Sequence, residues 1–365
     1  MKLAKQPSLF DSPTTVPTAD FPKTRYQGSK RRLLDDLLGV FQGISGRTAI
    51  DLYAGTATVS VLLQRMGWSV TANDFLLYNN ATARALLSGN AKKLDLEKAT
   101  KELQWLLDEA PLDRQPIVAD TFEGIFFPRD ENIQIDRFCQ NLGMIDENLR
   151  DVYIYAVGQS LLMKRPYNLF HRANLEMRTR EVKRSFGNAA TWNAPTIKHA
   201  RKILNHLIDF SKVTPENPFS VTNCNTIDLS SLTDSVDLIY LDPPYLNSAG
   251  KGVDYCQFYH FLDGLCDYSL YANANQDYVY KPISLQPSAW MTKEGALEEI
   301  QRIGKKWNQS TIVMSYRTDG QPTESEITEA FAQVGMRLHS LASQDFKYAL
   351  SHSSNTQEII LVYSQ

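Results

Sequence analysis

Asp242-Pro243-Pro244-Tyr245 is the stretch of this chain whose residue types are best suited to chemistry. The Asp242 carboxylate and the Pro243 carbonyl are both acceptors, and neither proline carries an N–H to occupy them. Two acceptors at one corner suit a group with two N–H bonds, such as the exocyclic amine of a nucleobase. The lone pair of that amine is normally delocalised into the ring and is a poor nucleophile. Holding both hydrogens favours a tetrahedral nitrogen with its lone pair aimed outward, which is catalysis by position and by charge set for the transition state. Tyr245 adds a flat ring on which a base can stack. The competing reading is a strand that ends in a Pro-Pro turn with a surface tyrosine.

Such a corner needs a strand beneath it. Residues 236–241, Val-Asp-Leu-Ile-Tyr-Leu, form a short apolar run that predicts a buried strand stopping at the prolines. Residues 47–52 predict another strand, followed by Tyr53-Ala54-Gly55-Thr56-Ala57-Thr58-Val59 and an amphipathic helix ending near Met66-Gly67. Strand, glycine turn and helix together make a nucleoside-binding end, where N–H groups converge. The turn is not GxGxxG, because Ala57 follows Gly55 and no third glycine comes after, so a dinucleotide fingerprint is poorly matched. Residues 68–74 predict a third strand ending in Asp74, placed to bond ribose hydroxyls or to cap the next helix. Tyr26-Gln27-Gly28-Ser29-Lys30 opens a helix over 31–41 and offers N–H groups and one cation to an anion or carboxylate.

Further strands are expected at 219–223, 311–316, 336–341 and 358–363, which makes seven, with helices at 293–306 and 324–334. Residues 75–110 look helical, and in 111–209 strand patterns are sparse and helix patterns common, as at 149–163. A tyrosine-rich segment, 254–280, follows the corner. The expected organisation is a tail over 1–23, an α/β catalytic domain over 24–110 and 210–365, and a helical insertion over 111–209.

Net charge is −3, so contact with nucleic acid needs a local patch. Residues 164–202 supply one: ten Lys and Arg against Glu176 and Glu181, or +8, leaving −11 for the rest of the chain. Arg165, Arg172, Arg178, Arg180, Lys183 and Arg184 are its core, with Tyr167, Phe170, Phe186 and Trp192 interleaved. Basic residues with aromatics suit phosphate and base contact; the plain alternative is a solvated helical face. Cys139, Cys224, Cys256 and Cys266 have no CxxC spacing and no clustered histidine, which argues against a metal site or a disulfide framework and suits a reducing cytoplasm. No apolar run approaches a membrane span.

In this order, the glycine turn, the acid after the next strand and Asp-Pro-Pro-Tyr resemble the Dam-like class of S-adenosylmethionine-dependent DNA adenine (N6) methyltransferases. The resemblance spans nearly all of the chain after the tail. It implies a Rossmann-like seven-stranded methyltransferase sheet with a target-recognition insertion. It also implies that Tyr26, Lys30, Asp51, Tyr53, Gly55, Thr56 and Asp74 surround S-adenosylmethionine, and that Asp242, Pro243, Pro244 and Tyr245 act on an adenine flipped out of double-stranded DNA. The chain departs from the pattern twice: Ala57 stands where a second glycine is usual, and Asn225 where an acid often meets the cofactor's adenine. No cysteine follows a proline, which excludes methylation at cytosine carbon 5. Cytosine N4 or RNA amines remain alternatives, as does a DNA-binding protein with an inactive methyltransferase fold. In the tail, Gln6, Leu9 and Phe10 resemble a peptide that docks on the replication sliding clamp.

Overall fold

The computed structural model describes residues 21, 24–181, 188–246, 252, 254–283, 285–345 and 357–365. Among them the apolar runs form strands β1 (Thr48–Asp51), β2 (Ser69–Asn73), β3 (Phe219–Thr222), β4 (Leu238–Leu241), β5 (Thr311–Arg317), β6 (Arg337–Asp345) and β7 (Gln357–Ser364). They make one sheet in the order β3-β2-β1-β4-β5-β7-β6. Neighbours from β3 to β5 pair in parallel, whereas β7 runs antiparallel to both β5 and β6. The fold is α/β with a seven-stranded methyltransferase-like sheet, as the sequence implies.

The helices before residue 111 are α1 (Leu34–Gln42), α2 (Thr58–Arg65), α3 (Leu77–Leu87) and α4 (Leu96–Asp108). Next come α5 (Ile117–Thr121), α6 (Arg129–Asn141), α7 (Glu147–Lys164), α8 (Glu176–Thr179), α9 (Asn188–Asn193) and α10 (Thr196–Ser211). The chain closes with α11 (Tyr255–Asp263), α12 (Lys293–Lys306) and α13 (Glu324–Ala332).

Every residue of β4 is buried, as a central parallel strand covered on both faces requires. The side-chain period of two sends Leu238 and Tyr240 to one core, with α1, α2 and α3, and Ile239 and Leu241 to the other, with α12 and α13. The helices α3 to α10 lie between β2 and β3. They share the first core: Leu103, Phe126, Tyr155 and Leu204 belong to one cluster with Val70 of β2 and Tyr240 of β4. The closest joint is α7 on α3, where a Cβ on Gly158 would lie 2.2 Å from the Tyr78 ring.

Two features of this layout matter for chemistry. From β1 the chain winds outward through β2 to β3, and from β4 it winds the other way, so the crevice at the carboxyl ends of β1 and β4 is a topological switch point. In the register, Asp51 lies opposite Tyr240, which puts Asp242 just above Asp51 at that crevice.

Candidate active site

Each wall of the crevice has a local cause. The turn from β1 to α2 carries two left-handed residues, Gly55 (φ 51°) and Ala57 (φ 55°). For Ala57 that conformation costs about 1–2 kcal/mol, and its buried methyl returns about 0.8 kcal/mol. The alanine in place of a glycine therefore keeps the turn at a small net cost. Gly28 is a different case: φ is 83°, and a Cβ there would meet the Tyr255 Oη at 2.7 Å. The opening motif runs under the start of α11 and can do so only with glycine at this point.

The cleft is lined by Tyr26, Lys30, Asp51, Tyr53, Gly55 and Thr56, with Asp74, Asp242, Pro244 and Tyr255. Asp74 accepts hydrogen bonds from the backbone N–H of Gly55 and of Leu76, both at 2.9 Å, which ties β2 to the turn after β1. Asp51 Oδ2 accepts from the backbone N–H and the hydroxyl of Ser60 at 3.0 and 2.6 Å. Its Oδ1 is buried and has no hydrogen-bond partner among the described residues. Burial is the largest influence on both carboxyls; it overcomes these hydrogen bonds and raises Asp51 to about 7 and Asp74 to about 6.

Lys30 lies at the start of a 3₁₀ turn and is nearly buried. Its Nζ is 2.6 Å from Asp242 Oδ1 and 3.9 Å from Glu358 Oε2. Burial works against its charge, but the two carboxylates outweigh that and hold it protonated above the usual lysine range. Asp242 is raised by burial in spite of Lys30.

Sequence-based expectation and structure differ at several residues. Tyr245 does not line the cleft: it stands on edge to Tyr316 at 5.6 Å, with Lys30 and Arg317 over its ring at 5.9 and 5.4 Å. Pro243 is buried beside the lining residue Pro244. Tyr53 lines the cleft while its hydroxyl is bonded to buried Glu299 and to Trp290 Nε1. Asn225 lies away from the cleft, its Nδ2 donating to the Pro287 carbonyl at 2.9 Å.

The basic stretch divides. Arg165 is buried; it donates to the carbonyls of Leu169, Phe126 and Arg172 and lies over the rings of Phe126 and Phe170. Arg178 is buried against Glu131 at 2.7 Å. Both serve the fold, so the expectation of phosphate contact at these two is corrected, whereas Arg172 and Arg180 are exposed. Lys183 and Arg184 lie outside the described residues, as do Gln6, Leu9 and Phe10.

Three participants were missed from sequence. Tyr255, at the start of α11, reaches the cleft and stacks with Tyr26 and Tyr259, which are themselves stacked at 4.0 Å. The tyrosine-rich composition of 254–280 was the available signal. Glu358 and Arg317 gave none, because only strand pairing brings them to Lys30 and Tyr245.

The sequence model of the D12 class N6 adenine-specific DNA methyltransferases matches residues 26–265, from the opening motif through the cleft-lining Tyr255. Along almost its whole length the chain is also similar to the Type II methyltransferase M2.HphI of Haemophilus parahaemolyticus. The two are 22% identical over 347 residues, covering 93% of this chain and 95% of the relative. With Asp242, Lys30, Asp51 and Asp74 on a single cleft, this chain belongs to the D12 class of N6 adenine-specific DNA methyltransferases, and its reaction is methyl transfer to adenine N6 in DNA.

Proposed function

We propose that the methyl donor is S-adenosylmethionine, held over the β1–α2 turn, and that Asp242 and Pro243 grip the amine of an adenine turned out of a DNA duplex. The observation that carries this reading is that one cleft contains the glycine turn, the acid after β2 and Asp242. The residues present fit the donor: Asp51 Oδ1 is a buried acceptor without a partner among the described residues, suited to an ammonium or hydroxyl. Asp74 keeps lone pairs for ribose hydroxyls after its two backbone bonds. When bound, the donor supplies an electrophilic sulfonium methyl.

The rest is the work of the chain. Asp242 and the Pro243 carbonyl accept the two amine hydrogens and localise the nitrogen lone pair. Asp242, its carboxyl raised by burial, takes the proton that the alkylated nitrogen releases. Lys30 stays an ammonium and is not the base. For the duplex, exposed Arg172 and Arg180 offer cations. Tyr167, 67% exposed and left-handed at φ 60°, offers an aromatic at the tip of the loop that Arg165 holds. The likeness to a protein described as a Type II methyltransferase supports a role as the methylating arm of a restriction-modification system.

Asp242→Ala tests the assignment. Transfer of labelled methyl to unmethylated bacterial DNA is expected to disappear, while calorimetric donor binding and gel-shift DNA binding persist. Wild-type transfer by the variant would refute it.

A further inference from the structure

Lys30 is shared between two carboxylates, half-buried Asp242 and buried Glu358, where one would neutralise it. Asp242 touches its ammonium, and Glu358 waits 3.9 Å away. Burying an additional carboxylate is costly unless it is compensated, so its presence beside an already paired lysine calls for a reason. The topology explains how it arrives. In the parallel strands the carboxyl ends reach the crevice; β7 runs the other way, so its first residues reach the same edge. Glu358 lies opposite Arg317 in the register and accepts a hydrogen bond from the Tyr245 hydroxyl. The charged and titratable groups around it are Lys30 from the opening motif, Asp242 and Tyr245 after β4, Arg317 on β5 and Tyr255 on α11.

We propose that Glu358 is a positioning residue for methyl transfer, receiving the Lys30 ammonium when the target amine claims Asp242 and holding Tyr245 beside the cleft. This rests on the assignment of Asp242 to the amine. An ammonium bound to Asp242 occupies one of its lone pairs and withdraws the charge that should localise the amine. A shift of Nζ by about 1 Å towards Glu358 brings it within hydrogen-bond reach of that carboxylate and breaks its hydrogen bond to Asp242, which frees that lone pair without leaving a buried cation unpaired.

The test is methyl transfer with enzyme in excess over unmethylated bacterial DNA, using labelled S-adenosylmethionine, across a series of pH values. Calorimetric donor binding is measured in parallel. Glu358→Gln keeps an acceptor for Tyr245 but removes the charge. It is expected to bind the donor within twofold of wild type and to transfer at least tenfold more slowly. The acid limb of its rate profile is expected to move to lower pH, because Lys30 then remains on Asp242 and holds it ionised. Tyr245→Phe, which removes only the hydrogen bond, is expected to lose less and to leave the profile in place. A Glu358→Gln enzyme with the wild-type rate and profile overturns the proposal. So does one that matches Tyr245→Phe in rate with an unmoved acid limb, since the glutamate would then be structural support. If Glu358→Gln does not fold, the comparison is Lys30→Met against Lys30→Met/Glu358→Gln. With no ammonium to receive, the second change should cost under twofold, and a further tenfold loss overturns the role. The Asp242→Ala control separates the two ideas: activity surviving there removes the underlying assignment, whereas loss there with normal Glu358→Gln kinetics removes only this one.

Discussion

Asp51 and Asp74 are acids that the donor-free protein keeps partly protonated near neutrality. Their folded values, about 7 and about 6, lie above the ordinary carboxyl range, chiefly through burial. Protons therefore bind the folded chain more tightly than the unfolded one. The stabilisation this gives is complete below the unfolded carboxyl range and is lost as pH rises through those two values. A donor whose ammonium and hydroxyls bond the ionised forms works in the opposite sense. Affinity for S-adenosylmethionine is expected to strengthen from about pH 5 to about pH 7, by up to about tenfold per unit for each group, and then to level off. Calorimetric titrations at four pH values check this, and an affinity flat across that range would mean that neither carboxylate meets the donor. These two residues were legible in the sequence because each closes a strand beside a glycine turn or a helix start. Glu358 was not, since it follows Asp242 by more than a hundred positions and only the reversed strand returns it to the site.

The loop between α7 and α8 shows what charge counting in a sequence cannot resolve. Ten basic residues were visible in 164–202, but which of them turn inward depends on Phe126, Phe127 and Glu131, which come from another part of the insertion. Arg165 spends its guanidinium on three carbonyls of the loop and its surroundings. Arg165→Ala would leave those carbonyls without a donor in a buried setting and is expected to destabilise the protein by about 3 kcal/mol or more. Replacing Arg172 and Arg180, whose side chains are exposed, with alanine is expected to cost less stability than Arg165→Ala. The same pair of changes should weaken DNA binding and flatten its dependence on log salt by about 0.9 for each phosphate that is no longer neutralised. Thermal unfolding and salt-titrated DNA binding on the two sets of variants separate these roles. Equal stability loss in both, or an unchanged salt slope, would place the DNA elsewhere.

Across the whole molecule, seven strands were expected from the sequence, most plainly where an apolar run stops at a turn signal, as β4 does at the prolines, whereas the reversed β7 carried no such signal. The way the insertion attaches was not readable, because the burial of Tyr155 or Leu204 with Val70 and Tyr240 depends on three-dimensional packing. The helices of 111–209 and the sheet have a common interior, so neither can move as an independent body without exposing it. At one place this joint reaches the cleft. The backbone N–H of Phe170 donates to the Phe258 carbonyl on α11, and the first residue of that helix is Tyr255, packed on Gly28 over the cleft. One hydrogen bond and one helix thus link the loop around Arg165 and Phe170 to the roof of the cleft. Occupancy at either end should be felt at the other: DNA should tighten S-adenosylmethionine by some factor, and S-adenosylmethionine should tighten DNA by the same factor, as thermodynamic reciprocity demands. Paired titrations would reveal it, and a factor of one would mean that loop and chamber are adjacent but mechanically deaf to each other.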